Sequence, residues 1–370
     1  MISDLLPVWI RMLFLFWASL ITTATIIFFF KRLFKSIWFM DHPERYPHEW
    51  NRAPVPYWLG IVLFINFLIQ SLLFLDIWYK KLIIILILGA IVTIVSFVDD
   101  LETIDIVKFK VHPLFRLIMQ IWIWAIIWIT SIKIWYISGI FGWIIRLDSY
   151  FLQWWDFRVY IIPLFFTIVW YVLVFNSINW SDVIPWLTSW LVEISLLILL
   201  VLTIRLYLTD ISEVAKENSD FVLLLLSILL PSILVFWLFD IRKKFLIWDS
   251  WTMFLAFMIA TLAIISWGKV ATAATVLWMY IIDSFYVILV RLYNKKNPLK
   301  WDTIHHLHFR LGKLWFSQNF IRNLVYSLSF LFWIGAIFLD RTWKIIIFCI
   351  LMVIVFFVTK ILSLKSNGKA

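Results

Sequence analysis

Residues able to do chemistry are few in this chain, and they fall in short polar breaks between apolar runs. Asp99 and Asp100 stand side by side where the apolar stretch 83–98 ends. Adjacent like charges repel, so such a pair persists most readily where a cation or a proton offsets it. Asp249-Ser250 forms a second acidic break. Carboxylates at helix ends suit a hard divalent cation, with Mg²⁺ held by one or two acids plus substrate phosphates, so Asp99, Asp100 and Asp249 are the candidate ligands. Asn176, Asn179 and Asp182 recur every three residues, on one face of a helix or turn. Their amides suit a nucleobase, ribose or sugar, and the acid can accept from hydroxyls. His305, His306 and His308 lie within four residues of a chain that holds six histidines. With Arg310, Lys295, Lys296 and Lys300 nearby they can clamp a diphosphate. Another polar break carries Asp41-His42, His48 and Arg52. Each feature also has a bland reading: solvated acids at helix ends, Asn as a helix starter, a basic loop against anionic lipid. A zinc site competes for the histidines, but no thiolate is near and the adjacent basic residues disfavour a cation.

The elements that must position these groups are membrane helices. The 370 residues are 64% hydrophobic and 15% charged, which a soluble domain does not need and a helical membrane bundle does. Apolar runs lie at 8–30, 57–75, 82–98, 117–137, 159–175, 186–208, 221–239, 251–267, 270–291, 323–339 and 345–363. The expected fold is therefore all-α: a polytopic protein of about eleven transmembrane helices in one integral-membrane domain, residues 1–370. The first run lacks a basic leader and a small-residue cleavage site, and reads as a retained span. With the N-terminus outside, the odd-numbered connections and the C-terminal tail carry 21 of the 32 Lys and Arg, counting Arg291 and Lys360 near the ends of their spans, so these connections and the C-terminus are expected in the cytoplasm. The same connections hold the polar breaks above, including the acidic pair, the Asn/Asp series and the histidines. The net charge of +10 follows from this flanking of spans and calls for no nucleic acid. The lone Cys349 excludes an intrachain disulfide.

The aromatic content is unusual. There are 26 Trp and 8 Gly, where average usage gives roughly 26 Gly in this length. Trp flanks Asp249-Ser250 on both sides, at 248 and 251. Most of these tryptophans are expected to be glycines in the native protein, encoded by UGA; the alternative is a chain rich in interfacial Trp. With Gly at 248 and 251, backbone could approach a metal-bound phosphate closely, as Trp hardly permits.

These motifs resemble the polyprenyl-phosphate N-acetylhexosamine-1-phosphate transferases (the MraY/WecA/TagO group, glycosyltransferase family 4). Asp99-Asp100 is similar to the family's Asp-Asp motif, and His112 to Gln120 to the segment after it. Asn176, Asn179 and Asp182 match Asn-x-x-Asn-x-x-Asp, and Trp248-Asp249-Ser250-Trp251 matches Gly-Asp-Ser/Thr-Gly, whose acid is the magnesium ligand. His306-Leu-His308-Phe-Arg310-Leu311 resembles His-x-His-His-Arg-Leu, and Arg45 to Leu59, with His48, resembles the entry loop, with Trp58 at a glycine. Val183, Pro185 and Phe309 depart from the pattern, where many members have Gly, a second Asp and a last His.

The resemblance implies transfer of a sugar-1-phosphate from a UDP-N-acetylhexosamine to undecaprenyl or another polyprenyl phosphate, releasing UMP, in the first membrane step of cell-wall or surface-polysaccharide synthesis. It implies Mg²⁺, with Mn²⁺ as an alternative, on Asp249 and Asp100, and Asp99 orienting or deprotonating the lipid phosphate. His48, Asn176, Asn179, Asp182, His306, His308 and Arg310 would bind substrate. The expected place is the plasma membrane with the active site on the cytoplasmic face, and a homodimer is among the allowed assemblies. The His-Leu-His form is closer to the WecA/TagO branch than to the muramoyl-pentapeptide branch. The rivals are another lipid-linked transferase, such as a CDP-alcohol enzyme, and a cation-coupled transporter. The transporter expects acids near span midpoints, where Asp283 is the clearest instance.

Overall fold

The computed structural model describes all residues except 1–5, 38–39, 41–53, 56–58, 104–105, 109–111, 130–131, 139–143, 155–156, 183–186, 211, 241–248, 267–276, 298–301, 303, 340 and 368–370. The described residues are mostly helical. In chain order they form α1 (Val8–Ser36), α2 (Leu59–Phe74), α3 (Lys80–Thr103) and α4 (Pro113–Ile129). Strands β1 (Tyr136–Ser138), β2 (Ile144–Arg146), β3 (Phe151–Trp154) and β4 (Phe157–Tyr160) follow. Then come α5 (Ile161–Ser181), α6 (Leu187–Thr209), α7 (Glu213–Asp240), α8 (Asp249–Ile265), α9 (Trp278–Tyr293), α10 (Leu307–Lys313), α11 (Gln318–Phe338) and α12 (Arg341–Asn367). Each apolar run read from the sequence falls wholly or mostly on one of these helices. Among the described residues, five helices are long and apolar enough to cross a bilayer: α1, α3, α5, α6 and α7.

Two compact units organise the chain. The first comprises residues 1–112 and 188–262, the second 113–187 and 263–370.

In the first unit α7 and α8 form the interior. Val222–Leu230 along α7 and Trp251–Leu262 along α8 are buried without interruption. Helix α1 packs on α7 and α2, while Leu13, Trp17, Ile21 and Phe28 stay exposed, as on a lipid-facing helix. Polar side chains hold these helices together. Asn66 donates to both Ser19 and Ser232 at 2.9 Å, and Ser19 also donates to the Ile228 carbonyl at 2.7 Å. Such bonds join helices where lipid offers no hydrophobic drive. Arg11 pairs with Asp220 at 2.8 Å, and Lys81 donates to Asn218. Lys81 stands in the first turn of α3, about 30 Å along the helix from Asp100 at a rise of about 1.5 Å per residue.

In the second unit α5 packs against α4 and α9, and α9 against α11 and α12. Two antiparallel hairpins lie between α4 and α5: β1 with β2 (Tyr136↔Arg146) and β3 with β4 (Phe151↔Tyr160). They correct the all-α expectation. The run 117–137 reads as one span, yet α4 ends at Ile129 and Tyr136 begins a strand. Ile, Trp and Tyr around 132–137 favour strands, and hydropathy alone does not separate a strand from a helix end. The acidic segment 209–220 lies between two runs and reads as a loop, but α7 begins at Glu213, whose charge suits a helix N-terminus.

Candidate functional site

Asp99 and Asp100 occupy the last turns of α3, which continues past the apolar run to Thr103. The C-terminal end of a helix is electrostatically wrong for acids, so something must offset them. For Asp100 this is the start of α8. Its Oδ1 accepts the Asp249 amide at 3.1 Å and its Oδ2 the Ser250 amide at 3.0 Å. These are orphan donors of a helix N-terminus, and the positive end of α8 meets the negative end of α3 through one carboxylate. Asp99 and Asp100 are buried, and Asp249 is half-buried.

Gly60, at the start of α2, closes the third side. A Cβ there would lie 2.3 Å from Ser250 Oγ and 2.6 Å from the Trp251 amide nitrogen, so only glycine lets α2 approach the first turn of α8 this closely. Deeper in, Phe64 and Phe67 of α2 meet Phe254 of α8 edge to face at 5.4 and 5.5 Å. Three helix ends thus meet around Asp100, and the bonds from Asp249 and Ser250 bring together acids 149 residues apart in sequence.

The donor set fits a hard cation. It is oxygen only, and each Asp100 oxygen keeps a lone pair after accepting its amide. Among the described residues no group of three or more His, Cys, Asp or Glu is placed to hold a metal by itself, so a cation here would need substrate oxygens to complete its shell.

The second unit carries the other candidates. Asn176 and Asn179 lie in the last turns of α5 and Asp182 caps its end. Asn176 Nδ2 donates to Gln120 Oε1 of α4 at 3.1 Å and to the Val172 carbonyl at 2.7 Å. Gln120 is buried, and its role is not legible from the motif it closes.

His306 has extended backbone (φ −62°, ψ 144°) just before α10, so its side chain and that of His308 fall on one side. Their rings stack with centroids 5.4 Å apart at 12°. Trp180 of α5 meets His306 edge-on at 6.1 Å, which places the histidines beside the Asn-rich end of α5. Burial pushes the His308 pKa down to about 4, with Asp283 opposing the shift and His306 adding to it. Arg310 is buried and donates to the Tyr286 hydroxyl at 2.8 Å, with its guanidinium 4.6 Å from that ring. His305 turns elsewhere, to Asp302 at 2.8 Å. Asp302 also takes Arg291 at 2.7 Å and the amides of Ile304 and His305. Burial alone would raise the Asp302 pKa, but these donors together hold its carboxyl well below the usual carboxylate range.

Besides Gln120, sequence reasoning leaves Asp283, Asp302 and Gly60 out of the site. Asp283 has a signal, a lone acid inside an apolar run. Asp302 and Gly60 have none beyond their residue types. Asp41, His42, His48, Arg52, Trp58, Val183, Pro185, Trp248 and Lys300 lie outside the described residues.

A curated protein of Bacillus subtilis (strain 168), named "Probable undecaprenyl-phosphate N-acetylglucosaminyl 1-phosphate transferase", is 25% identical over 358 residues, 94% of this chain and 90% of that protein. The sequence profile described as Glycosyl transferase family 4 matches residues 82–267, which contain the acidic pair, the Asn/Asp series and Asp249. This chain belongs to glycosyl transferase family 4.

Proposed function

We propose that this protein transfers N-acetylglucosamine-1-phosphate from UDP-N-acetylglucosamine to undecaprenyl phosphate, at the cytoplasmic face of the plasma membrane. The observation that carries the reading is Asp100 binding the first amides of α8, which seats Asp249 beside the acidic end of α3 in a family of sugar transferases. The name of the Bacillus relative supports the acceptor and the sugar. Eleven spans with the N-terminus outside complete the proposed topology.

An oxygen of the lipid phosphate attacks the phosphorus that carries the sugar. The bond from that phosphorus to the bridging oxygen breaks, and UMP leaves with the bridging oxygen. Such transfer needs positioning and charge neutralisation more than covalent chemistry by the protein. A magnesium ion on Asp249 and Asp100 would supply charge neutralisation at the donor diphosphate. Asp99 orients the acceptor phosphate or takes its proton. Asn176, Asn179 and Asp182 hold the polar groups of the donor, and His306, His308 and Arg310 bind its diphosphate oxygens, with His48 a further contact. Membranes containing the protein, given UDP-N-acetylglucosamine, Mg²⁺ and undecaprenyl phosphate, should release UMP and form the lipid-linked sugar. UMP release that does not depend on the lipid would count against the reading.

A further inference from the structure

Asp283 lies on α9 among the buried side chains of Ile281, Ile282, Tyr286 and Val287. A carboxylate in such surroundings is costly unless each oxygen finds a donor. Both do. Oδ2 stands 2.7 Å from His306 Nδ1, and Oδ1 accepts the Leu307 amide at 2.8 Å. A carboxylate offers acceptors only, so the ring nitrogen facing it is the one that carries hydrogen. His306 Nε2 is then the nitrogen left to meet a ligand. It is buried and has no partner among the described residues, and the same holds for Nε2 of the stacked His308. The Trp180 edge on one side and the His308 ring on another restrict the ring further.

We propose that Asp283 is a positioning residue for His306, fixing its tautomer and ring angle so that Nε2 is offered to the donor diphosphate. The inference rests on the transferase reading above. Nδ1–H stays on Asp283 throughout. Bare Nε2 can only accept, so it takes a proton from water or from the ligand's own phosphate and donates that N–H back to a phosphate oxygen, while the Asp283 carboxylate balances the charge on the ring. Orientation before the ligand arrives removes a cost that would otherwise fall on binding. A lone acid in an apolar helix, the feature that favoured an ion path, is instead half of a carboxylate–imidazole pair.

The test uses the full-length protein in nanodiscs, labelled with ¹⁵N-histidine, with His306 signals assigned by His306→Gln. The wild type should show His306 protonated at Nδ1. Asp283→Asn keeps the side-chain shape and an acceptor for Leu307 but turns an amide N–H₂ toward the ring, so the ring should move to the Nε2–H tautomer. The same variant should weaken UDP-N-acetylglucosamine binding by about 10- to 100-fold. In a His306→Gln background it should have no further effect, whereas a purely structural role would weaken binding equally in both backgrounds. A wild-type spectrum with Nε2–H, or an undiminished effect of Asp283→Asn without His306, overturns the proposal. The wild-type spectrum needs no variant to fold. Failure of the wild type to bind the nucleotide sugar at all would strike the transferase reading, while the spectrum still decides whether Asp283 sets the ring.

Discussion

Asp100 caps Asp249: the carboxylate at the end of α3 accepts the amide of the residue that opens α8, at 3.1 Å, and its second oxygen takes the next amide. One acid therefore holds the other in place through the backbone. Asp100→Ala removes an acceptor from two amides and should cost about 1–3 kcal/mol of stability. Thermal unfolding in detergent, followed by tryptophan fluorescence, should show a lowered but still cooperative transition. No change in the transition would contradict the capping role.

Glycine at position 60 is required by its neighbours. Gly60→Ala would press a methyl group against the Ser250 hydroxyl and the Trp251 amide at 2.3 and 2.6 Å, so α2 and α8 must separate. Gly312, with nothing within 4 Å of its added Cβ, is the control. Gly60→Ala should lower the melting temperature and UMP release together. Gly312→Ala, in the helix α10, should leave both unchanged or raise stability by up to about 1 kcal/mol. Equal behaviour of the two variants would contradict the close approach.

The mostly helical architecture is legible, because hydropathy over a bilayer-length window is a strong signal. The hairpins between α4 and α5 are hidden, since their Ile, Tyr and Trp read as a continuing apolar span. In the site, residue types flag Asp100, Asp249 and His306, whereas their partners depend on tertiary placement. Asp283 illustrates this: an acid in an apolar run announces that it has a partner without naming it, and His306 is 23 residues away. Gln120 likewise gives no local sign that Asn176 will reach it.

Buried His308 makes stability depend on pH. Its folded pKa is about 4, against about 6.5 for an unfolded histidine. Below the latter value the unfolded chain takes up a proton that the folded protein refuses. The contribution of neutral His308 is complete above about pH 6.5 and is lost as pH falls through about 4, at up to roughly 1.4 kcal/mol per pH unit. Melting temperatures measured in detergent between these limits should fall less steeply for His308→Phe than for the wild type. Parallel slopes would contradict the assignment.

Three buried tryptophans bear on the glycine shortage. The indole N–H groups of Trp251, Trp278 and Trp333 have no hydrogen-bond partner among the described residues, although buried Trp N–H usually finds one. Glycine at such positions would leave no such donor. Intact-mass measurement of protein from the native host should therefore fall below the mass of a chain with 26 Trp, by whole multiples of the Trp-to-Gly difference. A mass matching all 26 would show that the tryptophans are native.

The central claim is that acids joined at the α3–α8 junction serve sugar-1-phosphate transfer. Its most direct test is UMP release from UDP-N-acetylglucosamine, with Mg²⁺ and undecaprenyl phosphate, by purified Asp249→Asn and Asp100→Asn. Both variants should remain folded in detergent and release no UMP above background, while the wild type turns over. Wild-type rates in either folded variant would contradict the account.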